Sequence, residues 1–390
     1  MVQRLLGVLA IMFAAAVAFS ASAGSPVAAA SPAAARHGIL LLVCTGRTLT
    51  IRSYQATPGA RPATVASFSL PGGNVGNNNL QCEQDVPSPL LLQQFNSTFT
   101  MMAVDIGLAN NEGHVGVLTS TGKLRDFTPA SKASGGFNGP KVIPDEHSAL
   151  FQPGTSNLYF VGGPGSAPHY YKLNATAAKP VRQPVADTRQ KDDHAFNNTD
   201  PDWFLFSPNG KQMTTFIERT ETKPGYADNY GFNENETPFL FSPSGQFAAA
   251  DGGSPGNTCL IVRPAATLYD ETTCVEGSND LWINAWVSDT TLLATGPQDD
   301  GALDAAVVRL VSVPADPEQA TDRAIVPQVG RENSDPVPDP SGTKFAFLSR
   351  DPNSGVEQLW IGSLSGGTPQ KVADLPYLVR GVDGRLMAWK

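Results

Sequence analysis

Charge is scarce in this chain: Asp, Glu, Lys and Arg together make up 16% of its 390 residues. Long solvent-facing helices are therefore not expected. Basic residues are also outnumbered, 27 Lys and Arg against 36 Asp and Glu, for a net charge of −9. Recognition of nucleic acid needs a basic stripe, and none is present. Past the first twenty residues no stretch is apolar enough to span a bilayer, which takes about 20 consecutive apolar residues. The five histidines (His37, His114, His147, His169, His194) form no H-x-H or H-E-x-x-H pair, and the four cysteines match no zinc spacing and no C-x-x-C. Metal or redox catalysis of those familiar kinds is not written here.

What the chain has in quantity is Gly (37) and Pro (32), spread along its whole length. Many short strands joined by tight turns need that composition. The N-terminus carries Arg4, an unbroken apolar run from Leu5 to Phe19, and then Ala21-Ser22-Ala23 ahead of Gly24. This predicts a signal peptide over 1–23 cleaved after Ala23, followed by an Ala/Pro/Ser linker over 24–36 and a folded unit over 37–390. No Cys follows the cleavage site, so no lipid anchor is indicated. The mature chain would be a secreted or periplasmic protein, monomeric, with a net charge of −10 once Arg4 is removed. An oxidising compartment makes two disulfides the economical reading of Cys44, Cys82, Cys259 and Cys274. Cys259 pairs with Cys274 across a predicted hairpin, which leaves Cys44 for Cys82.

An internal repeat decides the fold class. Residues 202–217 read DWFLFSPNGKQMTTFI, residues 237–250 TPFLFSPSGQFAAA and residues 335–348 DPVPDPSGTKFAFL. Each is a strand, a Pro-Asn/Ser-Gly turn and a second strand, with Pro presetting φ at one corner and Gly reversing the chain at the other. Weaker copies are read at 147–162, 282–295 and, degenerate, 89–104. After the hairpin at 335, EQLWIGSL, a Gly-Gly turn and PQKVADL supply two more strands. Four antiparallel strands per unit make a propeller blade.

This unit resembles the TolB-type propeller repeat, with Asn209, Ser244 and Ser341 where the repeat commonly has Asp, and Asp339 where it has Ser. The expectation is an all-β chain, a β-propeller of four-stranded antiparallel blades. Seven blades are favoured, with six or eight left open. Residues 377–390 (YLVRGVDGRLMAWK) are read as two strands about a Val-Asp-Gly turn that complete the first blade, closing the ring with strands from both ends of the chain.

Candidate chemistry is sparse. Gly252-Gly253-Ser254-Pro255-Gly256 has the spacing of a hydrolase nucleophile elbow, but Pro255 has no N–H to give an oxyanion hole, so a surface turn is expected. Polar clusters at 192–202 and 228–236 precede first strands, where a propeller sets the loops around one end of its channel. Asp192, Asp193, His194, Asp200, Asp202, Asp228, Asn229 and Glu236 are ligand-binding candidates there, with His147, Thr237 and Asp335 at matching places in other units. Such oxygen-rich loops can take Ca²⁺, though neither has the spaced D-x-D-x-D-G form. Trp203, Trp282, Trp286 and Trp360 are expected to pack between blades rather than form glycan platforms. Asn96, Asn174, Asn197 and Asn235 sit in N-glycosylation sequons. The resemblance further implies that any chemistry would need a separate domain, since in peptidases that carry such propellers an α/β-hydrolase domain does it. The function expected is a non-enzymatic exported module binding a protein or glycan at the channel mouth. A channel-based metal-dependent enzyme of lactonase or lyase type and a structural envelope protein are the alternatives.

Overall fold

The computed structural model describes residues 37–72, 74–76, 88–108, 113–128, 146–162, 169–185, 201–211, 213–217, 240–254, 257–264, 281–297, 306–326, 330–378 and 382–390. The proposed signal peptide and linker lie outside them. The described chain is almost entirely strand, arranged in seven antiparallel sheets. Sheet A holds β1 (Ile39–Thr45), β2 (Thr48–Tyr54) and β3 (Ala63–Ser69). Sheet B holds β4 (Asn74–Gly76), β5 (Met101–Gly107), β6 (Gly113–Thr119) and β7 (Leu124–Asp126), with helix α1 (Ser88–Gln93) between β4 and β5. Sheet C holds β8 (Glu146–Phe151), β9 (Asn157–Gly162), β10 (His169–Asn174) and β11 (Gln183–Val185).

Sheet D contributes two described strands, β12 (Pro201–Phe206) and β13 (Met213–Ile217), and sheet E three, β14 (Leu240–Phe241), β15 (Phe247–Ser254) and β16 (Asn257–Pro264). Sheet F has β17 (Trp282–Ser288), β18 (Thr291–Pro297), β19 (Ala306–Ser312) and β20 (Thr321–Val326), and sheet G β21 (Glu332–Pro338), β22 (Lys344–Arg350), β23 (Glu357–Ser363) and β24 (Gln370–Asp374). The last strand, β25 (Val382–Trp389), pairs with β1, so sheet A runs β25-β1-β2-β3.

Strand sequences follow their place in this stack. A strand covered on both faces by neighbouring sheets reads as a continuous apolar run. β1, ILLLVCT, is buried over its first five residues, and β22, KFAFLSR, over its middle five. β2, flanked by less cover, alternates instead.

The three clear hairpins turn alike. The amide of Gly210 donates to Ser207 O at 2.8 Å, Gly245 to Ser242 O at 2.8 Å and Gly342 to Asp339 O at 3.0 Å. All three glycines have positive φ (67°, 77° and 65°), the left-handed corner that a side chain disfavours. The turns also join one sheet to the next. Gln152 Nε2 donates to Gly210 O at 2.7 Å, Asn209 Nδ2 to Pro243 O at 3.1 Å, and the Ser244 amide to Asp289 Oδ1 at 2.9 Å. Sheets C, D, E and F are thereby linked in sequence.

Two details differ from the sequence reading. The unit at 89–104 is not a hairpin, because its first half forms α1. Pro89 sits in the first turn, where no N–H is needed, and the Leu-Leu-Leu-Gln run that follows favours a helix over a strand. The first strand of sheet B is β4 instead. Near the C-terminus, Val382-Asp383-Gly384 is no turn but the start of β25, paired with Thr45, Cys44 and Val43 of β1. A side chain at position 384 would stand 2.5 Å from Leu378 Cδ1, so the close approach of strand and Leu378 uses the glycine.

Candidate functional site

First strands begin at one common end of a propeller, and four of those described carry a break in pairing shortly after they begin. The breaks lie between His147 and Leu150, Pro201 and Trp203, Ile283 and Ala285, and Ser334 and Val337. Such bulges re-aim side chains at sheet ends. Ser148 and Asp335, each five residues before the turn proline (Pro153 and Pro340), both have positive φ, 57° and 51°. The expected site residues His147, Asp202 and Asp335 therefore fall at or beside these bulges.

Each described bulge with positive φ is tied to an adjacent sheet by a buried carboxylate. Asp105, in β5, accepts from the amides of Ser148 at 3.1 Å and Ala149 at 3.2 Å. Burial pushes its carboxyl up to about 7, against the pull of those two donors. Asp335 Oδ2 lies 2.8 Å from Arg385 Nε and accepts from the Leu386 amide at 3.3 Å. Nearby Glu357 is also raised to about 7, first by burial, then by the negative charge of Asp335, with Arg350 acting in the opposite sense. Asp335 is thus occupied by its own chain.

A second network joins sheets B and C. Arg182 grips Glu146 with both terminal nitrogens, Nη2 to Oε2 at 2.8 Å, and also donates to Phe127 O. Thr128 Oγ1 donates to Glu146 Oε2 at 2.5 Å, the Thr128 amide donates to Asp126 Oδ1 at 2.8 Å, and Asp126 Oδ2 lies 2.7 Å from His114 Nδ1. Glu146 and His114 are buried. Of these contacts, Thr128 to Glu146 and Arg182 to Phe127 O cross from sheet B to sheet C, while Asp126 to His114 stays within sheet B. His147 is half-buried with Nδ1 2.9 Å from Ser148 Oγ.

Asp192, Asp193, His194, Asp200, Asp228, Asn229, Glu236 and Thr237 lie outside the described residues; Asp202 lies in β12 at its bulge. Among the described residues no group of three or more His, Cys, Asp and Glu is placed to hold a metal ion. Cys44 is disulfide-bonded, and no described cysteine is free. Cys82 and Cys274 lie outside the described residues. Gly252, Gly253 and Ser254 end strand β15, with Gly252 paired to Cys259 and Ser254 to Asn257 of β16, so they form no surface turn; Pro255 and Gly256 lie outside the described residues. The next described residues after Ser254 are those of strand β16.

Of the tryptophans, Trp286 is buried and donates from Nε1 to Leu240 O at 2.7 Å, bridging sheets F and E, and Trp360 is half-buried. Trp282 departs from the expected packing: at the start of β17 it stands 39% exposed, while Leu281 and Ile283 on either side are buried. Asn96 is a buried turn residue whose Oδ1 accepts from the amides of Thr100 and Met101, whereas Asn174 is exposed. Sequence reasoning missed Asp105, Glu146, Arg182, Glu357 and Arg385. Asp105 alone left a signal, a single carboxylate inside the apolar strand MMAVDIG.

No protein-family model matches the chain, and no curated protein matches it in sequence. Solved structures do. The chain is similar to TolB from Acinetobacter baumannii, at 14% identity over 90% of this chain and 66% of that one, TM-score 0.42. It is similar to the β-propeller domain of the trilobed protease from Pyrococcus furiosus, at 9% identity over 87% and 99%, TM-score 0.41. It is also similar to oligogalacturonate lyase from Vibrio parahaemolyticus, at 10% identity over 87% and 73%, TM-score 0.37. No helix among the described residues is long and apolar enough to cross a membrane. By its sheet order and its repeated hairpin, the chain has a β-propeller fold.

Proposed function

We propose that this chain is an exported binding module that holds a protein or glycan at the end of the propeller where the first strands begin. The exposure of Trp282 at the start of β17 carries this reading. An indole left open between two buried neighbours offers a flat apolar face to a sugar ring or an aromatic side chain, with an N–H at its edge. The carboxylates described near that end support binding over acid–base chemistry, because Asp335 and Glu146 are already paired with Arg385 and Arg182. In this reading Asp192, Asp193, His194, Asp200, Asp202, Asp228, Asn229 and Glu236 add polar contacts around the same rim. Ca²⁺ is the ion those loops would take if they hold one. Cys44–Cys82 and Cys259–Cys274 are the proposed disulfides.

The test is a glycan array together with affinity capture from the native envelope and culture medium, using the full chain and Trp282→Ala side by side. Retention of a ligand by the wild type, weakened about tenfold or more in Trp282→Ala, supports the proposal. A ligand held equally by both proteins, or none held by either, contradicts it. Metal analysis of the untreated protein separates the enzyme alternative, which needs a bound divalent cation.

A further inference from the structure

We infer that helix α1 is a resident plug on the propeller axis, closing it to any ligand threaded along the channel and leaving only the end faces for recognition. The inference does not depend on which ligand the protein binds.

The first observation is an insertion. In sheets D, E, F and G the first strand turns into the second within a few residues, as from Ser288 to Thr291 or Pro338 to Lys344. In sheet B residues 77–100 lie between β4 and β5, and α1 is part of that connection. The second is its reach. Although it belongs to sheet B, α1 packs against β25 of sheet A and β17 of sheet F. Gln93 adds sheet D by a pair of hydrogen bonds, its Nε2 donating to Phe206 O at 3.0 Å and its Oε1 accepting from the Phe206 amide at 3.2 Å. Sheets A, D and F are not consecutive around the ring. First strands of separated blades converge only at the axis, so an element that touches all three stands there.

The third observation is the shape of the core. Three apolar clusters are each confined to neighbouring sheets, G with A, B with C, and F with G. The remaining cluster draws residues from sheets A to F and includes Leu90, Leu91, Phe95 and Phe99 from the insertion. The insertion is thus buried in the one cluster that reaches all of these sheets. Leu90 and Leu91 are fully buried, and the amide of Gln93 satisfies both polar groups of Phe206 as a neighbouring strand would.

Two measurements on the full chain test the plug. Leu91→Cys is expected to react with a maleimide at least about 100-fold more slowly than Thr121→Cys, which sits in an exposed turn, because buried sites react only through opening. In the wild type, hydrogen exchange over 88–95 is expected to be as slow as over β5. Gln93→Ala is then expected to speed exchange at 203–206 by about tenfold or more while leaving 344–350 unchanged. Labelling of Leu91→Cys within about tenfold of the control, or loop-like exchange over 88–95 in the wild type, overturns the inference. If Leu91→Cys does not fold, the wild-type exchange decides alone.

Discussion

Asp335 and Arg385 form a buried ion pair, Oδ2 to Nε at 2.8 Å, that ties the first strand of sheet G to β25 in sheet A. The same junction is reinforced by a hydroxyl contact between Tyr54 and Tyr377, with the Arg52 guanidinium 3.9 Å over the Tyr377 ring. Burial and the Tyr54 contact raise the Tyr377 phenol above its ordinary range. Removing one member of a buried pair strands the other charge without a partner, at a cost of about 3–5 kcal/mol. Asp335→Ala is expected to lower the unfolding free energy by an amount in that range, seen as a lower urea midpoint at unchanged slope. Asp335→Ala combined with Arg385→Met should recover part of the loss, which a double-mutant cycle by urea unfolding measures.

Stability is expected to fall as pH rises through neutrality. Asp105 and Glu357 both have folded values raised to about 7, above the ordinary carboxylate value near 4. Their contribution is complete below about pH 4, where both states are protonated, and is lost as pH climbs through about 7 and the buried groups must ionise. Below about pH 4 a different set acts: Asp339 and Asp374 are held low, mainly by their hydrogen bonds to Ser341 and Lys371, and stability declines as they protonate. Urea unfolding from pH 5 to 8 should show the decline in the wild type, on the order of 3 kcal/mol for Asp105, and a flatter profile in Asp105→Asn.

The belt of turns explains a departure from the repeat. Asn209 keeps the acceptor that an Asp would supply, taking the Lys211 amide at 2.9 Å and the Ser207 hydroxyl at 2.7 Å, but its Nδ2 also donates to Pro243 O. A carboxylate there would face that carbonyl with a second oxygen. Asn209→Asp is expected to cost about 1–2 kcal/mol by denaturant unfolding. Ser341→Asp, which removes the hydroxyl that donates to Asp339 Oδ2 and sets a second carboxylate beside it, is expected to cost a similar amount and to raise the Asp339 carboxyl toward its ordinary range.

The hairpins were legible because their information is local: a proline and a glycine within four residues set both corners of a turn, and the flanking residues are strand formers. Helix α1 was obscured because PLLLQQFNSTFTMMAV has the apolar content of a hairpin; Pro89 at a first turn was the available signal. The junction residues were not legible at all. Gln93 meets Phe206 113 residues away and Asp335 meets Arg385 50 residues away, and nothing in the local pattern encodes which strands become neighbours. The disulfides lie between these extremes, since Cys44 is bonded while its partner rests on an expected pairing. Peptide mapping without reduction is expected to recover Cys44 joined to Cys82 and Cys259 joined to Cys274; any other connectivity refutes the pairing.

Recognition at the first-strand end can be checked by photo-crosslinking in native medium, with benzoylphenylalanine at position 282 in one full-length protein and at 341, in the opposite turn, in another. A covalent adduct formed at 282 and absent at 341 is the expected result. Adducts at 341 without any at 282 would show that the partner docks on the turn belt, and the binding face proposed for this propeller would be the wrong one.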